Sequence, residues 1–189
     1  MIYKNHQFQA EDLKGKDFES DEFVSCKFTG DINFANFLNC KFKTSDLSLA
    51  TFSIVSFTNC QFPESKLNNI DFGEININNC NFSNSVMENC VFQKLISKNN
   101  RKRLNLKNIL FSNTDLQRSA FIFCNLEKVN FSKSNLTQAN FENCSLKDTN
   151  FSECDINGTN FENCKIDKTI LDVKGFVNYG NSRGFILSS

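Results

Sequence analysis

Residues 131–170 read FSKSN LTQAN FENCS LKDTN FSECD INGTN FENCK IDKTI when cut every five residues, and each block opens on a large apolar side chain. The same spacing extends back through Phe121, Leu116, Phe111 and Leu106 and forward to Leu171. Before a break it runs from Ile32 to Phe92, and before that through Phe8, Leu13, Phe18, Phe23 and Phe28, the step from Phe28 to Ile32 being one residue short. A period of five fits neither an α-helix at 3.6 nor a strand at 2.0, so each block must turn the chain and return its central residue to the inside. Repetition on this scale governs the whole fold rather than one segment of it.

A second inward series lies two residues before each centre and is made of small side chains. All nine cysteines fall in it, and their spacing counts the sides of the winding. Cys40, Cys60 and Cys80 stand twenty apart, as do Cys124, Cys144 and Cys164, which is the separation that four five-residue sides per turn would stack on one face. In this slot a free thiol packs as a small hydrophobe. No C-x-x-C pair occurs and His6 is the only histidine, so neither a metal nor another cofactor is expected. Asparagine recurs one position earlier, at Asn39, Asn59, Asn79, Asn89, Asn143 and Asn163, where stacked amides would satisfy one another across tight turns.

The blocks Ser134-Asn135-Leu136, Ala139-Asn140-Phe141 and Thr159-Asn160-Phe161 match A-(D/N)-L-x-x, and on them the chain resembles the pentapeptide-repeat family. That resemblance implies an all-β, right-handed quadrilateral β-helix, with the centre and the small residue inward and the other three outward. The recognisable centres make about eight turns and a rod on the order of 40 Å long at the usual strand spacing. The β-helix is expected over residues 1–171, with a projecting loop at about 94–103, and a capping or dimerisation tail over residues 172–189.

Lysine plus arginine equals aspartate plus glutamate at 21 each, so overall charge points to neither a nucleic acid nor a membrane. The start, MIYKNHQFQAEDLKGKD, is too polar for a secretory signal, and a cytoplasmic protein is expected. No Ser-His-Asp set or glycine-rich phosphate loop is visible, and a rod filled by phenylalanine leaves no pocket for catalysis.

A perfect repeat is explained by packing alone, so function is sought where it fails. The largest break is QKLISKNNRKRLN after Phe92; continuing the period through it would bury Arg101 or Lys102. It is read as a partner-binding loop carrying Lys94, Lys98, Asn99, Asn100, Arg101, Lys102 and Arg103, with Leu95 and Ile96 anchoring its base. At the amino end the small slot holds Glu11, Lys16 and Asp21, which predicts a distorted, charged first coil that blunts an exposed edge. The tail places Phe176, Val177, Tyr179, Phe185, Ile186 and Leu187 where they would cover the last turn or join two copies, and Gly175, Gly180 and Gly184 favour a turn-rich or hairpin-like cap over a long helix.

A rod of this length with a loop and an apolar tail resembles the quinolone-resistance proteins of the Qnr type. The resemblance implies a homodimer joined at the carboxy-terminal end that binds DNA gyrase or topoisomerase IV and protects it from fluoroquinolones, without sequence-specific contact to nucleic acid. A general interaction scaffold or a bacterial effector with an unrelated partner is the alternative.

Overall fold

The computed structural model describes residues 1–94 and 103–188. In it the five-residue blocks form a four-sided parallel β-solenoid, the right-handed quadrilateral β-helix that the resemblance implies. Each coil pairs with the next one circuit later: Ile75 lies beside Val55, Asn140 beside Ala120, and Asn160 beside Asn140. Backbone bonds alternate in direction along each side. Phe42 N–H donates forward to Gln61 C=O at 2.8 Å, and Gln61 N–H donates back to Cys40 C=O at 3.0 Å.

The first side is built on Ile2–Lys4, Glu22–Val24 and Lys41–Lys43, and the second begins at Gln7–Phe8. The third is clearest at Val91–Phe92, Ala120–Ile122, Asn140–Glu142 and Asn160–Glu162. The fourth carries Asp17–Glu19, Asn36–Leu38, Val55–Thr58 and Ile75–Asn78, then Leu104–Asn105 and Cys124–Asn125. The short step after Phe28 is real: one circuit advances by 19 residues, pairing Glu22 with Lys41, where the circuit before it advances by 20. The strand Lys27–Asn33 absorbs it with a register shift between Lys27 and Thr29.

Inside, the aromatic centres stack from coil to coil. Phe92, Phe121 and Phe141 are parallel within 3° at 4.6 and 4.8 Å, and the rings of neighbouring sides meet edge to face, as Phe111 and Phe121 do at 5.9 Å and 84°. The small slot does more than fill space. Its hydroxyls and thiols donate to the carbonyl of the centre in the preceding coil: Ser65 to Phe42 at 2.8 Å, Thr149 to Leu126 at 2.8 Å, Cys144 to Phe121 at 3.1 Å. The cysteines are therefore weak donors in a Ser/Thr position rather than plain hydrophobes. Burial pushes the thiols of Cys90 and Cys154 up to about 12, so they stay protonated donors.

The residue two past each centre turns the corner, and at 24 non-glycine positions it does so with positive φ. That conformation costs an ordinary residue about 1–2 kcal/mol and suits asparagine. Asparagine accordingly fills many corners, and its amides form the expected ladder, Asn79 donating to Asn59 at 3.3 Å and Asn59 to Asn39 at 3.0 Å.

The two ends differ. At the amino end Ala10–Leu13 forms a single helical turn, α1, closed by Asp12 Oδ2 accepting from Gln9 N–H at 2.9 Å, which carries Glu11 outward and buries Leu13. Lys16 is exposed, and Asp21 sits 2.5 Å from the amino group of Met1. At the carboxy end the expected hairpin-like cap is replaced by a helix, α2, over Val173–Ser182. Gly175 lies inside it because a Cβ there would stand 3.1 Å from Asp172 Oδ1 and 3.2 Å from Leu171 Cδ2. The glycine that lowers helix propensity is the one that lets the helix sit against the last coil.

Stacked coils contribute to stability as a sum over neighbours. Replacing Phe121, held between Phe92 and Phe141, by Ala is expected to cost about 3–5 kcal/mol in urea unfolding. Phe176→Ala, at a residue 68 % exposed, should change stability by less than about 0.5 kcal/mol.

Candidate functional site

The loop leaves the rod at the corner between the third and fourth sides. Registers across it pair Asn81 with Leu110 and Val86 with Asp115, steps of 29 where uninterrupted circuits take 20, so the insertion holds nine residues. Lys94 and Arg103 lie at its two feet. Lys98, Asn99, Asn100, Arg101 and Lys102, with Leu95 and Ile96, fall outside the described residues.

The coils beneath the insertion are adapted to it. A Cβ on Gly73 would stand 2.7 Å from the Gln93 carbonyl, so only glycine admits the backbone leading into the loop. On the fourth side Ile75–Asn78 pairs with Val55–Thr58, and Leu104–Asn105 pairs with Cys124–Asn125, but no ladder joins the two among the described residues. The ring stack on the first side opens at the same level, to 5.6 Å between Phe82 and Phe111 against 4.7 Å between Phe62 and Phe82. The result is a groove of about 450 Å³ bordered by Glu74, Asn76, Asn78, Lys94, Arg103 and Asn105.

Lys94 is exposed and carries its charge at the lip of this groove. Arg103 is also exposed, yet it is not a free cation. Its guanidinium lies 4.6 Å over the ring of Phe123, and Nη1 donates to the carbonyls of Asn143 and Cys124. It fastens the exit of the loop to the rod. On the neighbouring corner Arg118 spans the same circuit, with Nη2 2.7 Å from Glu88 Oε2 and Nε donating to Asn89 at 2.9 Å. The pair is solvent-facing and contributes little by itself.

The tail residues divide between two tasks. Val177 and Tyr179 are half-buried, Tyr179 meeting Phe161 edge to face at 5.8 Å. Phe176, Phe185, Ile186 and Leu187 face solvent, together with Val173, Ile166 and Ile170. Between them lie two apolar hollows of about 200 and 350 Å³, one opening on the end of the core at Phe151 and Phe161, the other framed by Phe176, Phe185 and Leu187. Asp172 fixes the helix to the rod: Oδ1 accepts from Gly175 N–H at 2.7 Å and Oδ2 from Glu153 N–H at 2.9 Å, which hold its carboxyl below the usual range. Arg183 closes the far end by donating to the Phe161 carbonyl at 3.0 Å. Sequence reasoning missed Asp172, although an aspartate directly before the helix is an ordinary start signal.

Among the described residues no group of three or more His, Cys, Asp or Glu could hold a metal ion, and no helix is long and apolar enough to cross a membrane.

The profile described as a pentapeptide repeat region matches residues 102–171, and the one described as pentapeptide repeats (8 copies) matches residues 56–93. No curated protein sequence matches the chain. Among solved structures it is similar to a trypsin-treated form of QnrB1, a plasmid-mediated fluoroquinolone resistance protein, at 17% identity and a TM-score of 0.68, covering 100% of this chain and 99% of that one. Full-length QnrB1 aligns at 14% identity and a TM-score of 0.44 over 97% of each chain. HetL, a pentapeptide repeat protein involved in heterocyst differentiation regulation from the cyanobacterium Nostoc, aligns at 16% identity and a TM-score of 0.37, over 90% of this chain and 87% of that one. At 17% identity the likeness to the trypsin-treated form speaks for the fold.

Removing the platform under Arg103 should free the foot of the loop. Phe123→Asn, which keeps a residue suited to the left-handed corner, is expected to speed trypsin cleavage of the Arg103–Leu104 bond by about 2–5-fold, the loss of an exposed cation–π contact. Mass spectrometry of a digestion time course reads it; an unchanged rate would mean that Phe123 does not hold Arg103.

Proposed function

The chain belongs to the pentapeptide-repeat family, and on that premise we propose that it is a non-catalytic rod that binds a type II DNA topoisomerase and protects it from fluoroquinolones. The observation that carries this reading is the nine-residue insertion in the winding. It stands on one corner, and the segment from residue 93 to residue 103 contains five basic residues and no acid. An enzyme that grips and cleaves DNA offers both acidic patches and bound phosphates to such a loop, and charge of one sign speeds the encounter. The rod sets the loop at a fixed height, since Gly73 admits its first foot and Arg103 pins its second.

The carboxy-terminal end supports a homodimer. Phe176, Phe185, Ile186 and Leu187 project from the cap beside hollows that no part of the described chain fills, and apolar surface of that extent on one end favours a second copy. A two-fold pairing of ends would double the rod and place two loops symmetrically on one partner. The cytoplasm, where gyrase and topoisomerase IV work, is its place of action.

Purified protein added to DNA gyrase and ciprofloxacin is expected to restore supercoiling. Deleting residues 98–102, with Arg103 kept, should leave thermal unfolding unchanged and abolish the rescue. A wild-type protein that gives no protection would overturn the assignment to topoisomerase in favour of a different partner. Separately, removing the segment that begins at Phe185 should convert a dimer into a monomer in light scattering; a wild-type monomer would remove the end-to-end arrangement.

A further inference from the structure

Among the described non-glycine corners with positive φ, only three carry a large apolar side chain: Phe34 at 59°, Ile54 at 56° and Phe123 at 55°. All three stand in one column, two residues past the third-side centres Ile32, Phe52 and Phe121, and it is the column from which the loop emerges. The other non-glycine corners of that column with positive φ are Asn143 and Asn163, the residue type that fits this backbone best. Phe123 is accounted for by Arg103 on its ring. Phe34 and Ile54 are not accounted for within the chain, being 53 % and 63 % exposed. The corner at Phe34 is also slack, its N–H reaching the Ser53 carbonyl at 3.3 Å where Asn39 reaches Thr58 at 2.9 Å. A β-branched residue and an aromatic ring thus hold an unfavourable backbone while presenting apolar surface to water, and strain retained in this way marks positions that serve a ligand.

We infer that Phe34 and Ile54 form a docking ridge for a basic protein surface with an apolar cleft, the second contact of the topoisomerase complex proposed above, on which this inference rests. The charge around the ridge names the partner's chemistry. Asp31, Asp71 and Glu74 are the charged outward residues of the third side from residue 31 to residue 74, and that length of the third side has no lysine or arginine. On the fourth side the outward neighbours on the circuits of Phe34 and Ile54 are Asn36, Leu38, Asn39, Ser56, Thr58 and Asn59, without a base, and on the circuit before Phe34 the bases Lys14 and Lys16 are outnumbered by Glu11, Asp12, Asp17 and Glu19. Lys94, at the foot of the loop, is two circuits beyond Ile54 in the same column, roughly 10 Å away at the usual strand spacing. One partner can therefore meet the basic loop with an acidic patch and the ridge with a basic one.

Asparagine at the two corners removes the apolar surface and relieves the backbone, so F34N/I54N is expected to melt no lower than the wild type. Binding to immobilised gyrase holoenzyme should weaken by at least about tenfold, as loss of a central apolar anchor does, and rescue of supercoiling from ciprofloxacin should fall with it. Ile54→Asn alone, at the corner farther from the amino end, gives an independent reading. Wild-type protection with equal protection by F34N/I54N would overturn the ridge and leave the topoisomerase assignment standing. Absence of protection and binding by the wild type would overturn that assignment and, with it, gyrase as the partner of the ridge.

Discussion

The interval between coils is set by parallel backbone pairing, and every inward side chain must accept it. Strands in such ladders lie about 4.8 Å apart. The Phe23, Phe42 and Phe62 rings repeat at 4.8 and 4.9 Å, parallel within 11°. The ladder fixes the interval of the parallel rings within a side, and the rings of neighbouring sides meet edge to face, a favourable aromatic geometry. The same interval determines the small slot. Many centre carbonyls accept from a hydroxyl or thiol one circuit later, as Phe42 does from Ser65 and Phe121 from Cys144, which suits Ser, Thr and Cys to that slot.

Changes in the length of a circuit are absorbed locally, and the register resumes beyond them. A circuit of 19 residues and one of 29 both rejoin the register, Val91 pairing with Ala120 beyond the loop. The strain remains local. It shows in the wider gap between Phe82 and Phe111, in the absence, among the described residues, of a ladder above Ile75–Asn78, and in the glycine that Gln93 requires at position 73. A long insertion is tolerated because the coils on either side contribute to stability independently of it.

The five-residue period and its twenty-residue stacking are legible in the sequence because one packing rule is applied at every block. Sequence also locates the insertion, since Arg101 and Lys102 cannot occupy inward centres. Contacts that join distant positions are not legible. Arg103 acts through Phe123 and through the Asn143 carbonyl, 40 residues on, and no local pattern announces either. The helix of the tail is hidden for a related reason. Propensity counts Gly175 against a helix, while its value comes from the Leu171 side chain and the Asp172 carboxylate that crowd it. Likewise the cysteines display their size in the sequence but not the carbonyls they donate to.

In a solenoid whose interior is filled, recognition is left to outward positions, and these are not equivalent. A side chain in the middle of a face can change with little effect on the backbone, so its identity says little about selection. A corner is different, because asparagine or glycine is favoured there by conformation alone. Phe34, Ile54 and Phe123 depart from that preference, and at Phe34 and Ile54 the departure also exposes apolar surface, so two separate costs fall on those two residues. At Phe123 the compensation is visible as the anchored arginine. For Phe34 and Ile54 the compensation lies outside the chain, on the side of the rod that carries Lys94 and Arg103.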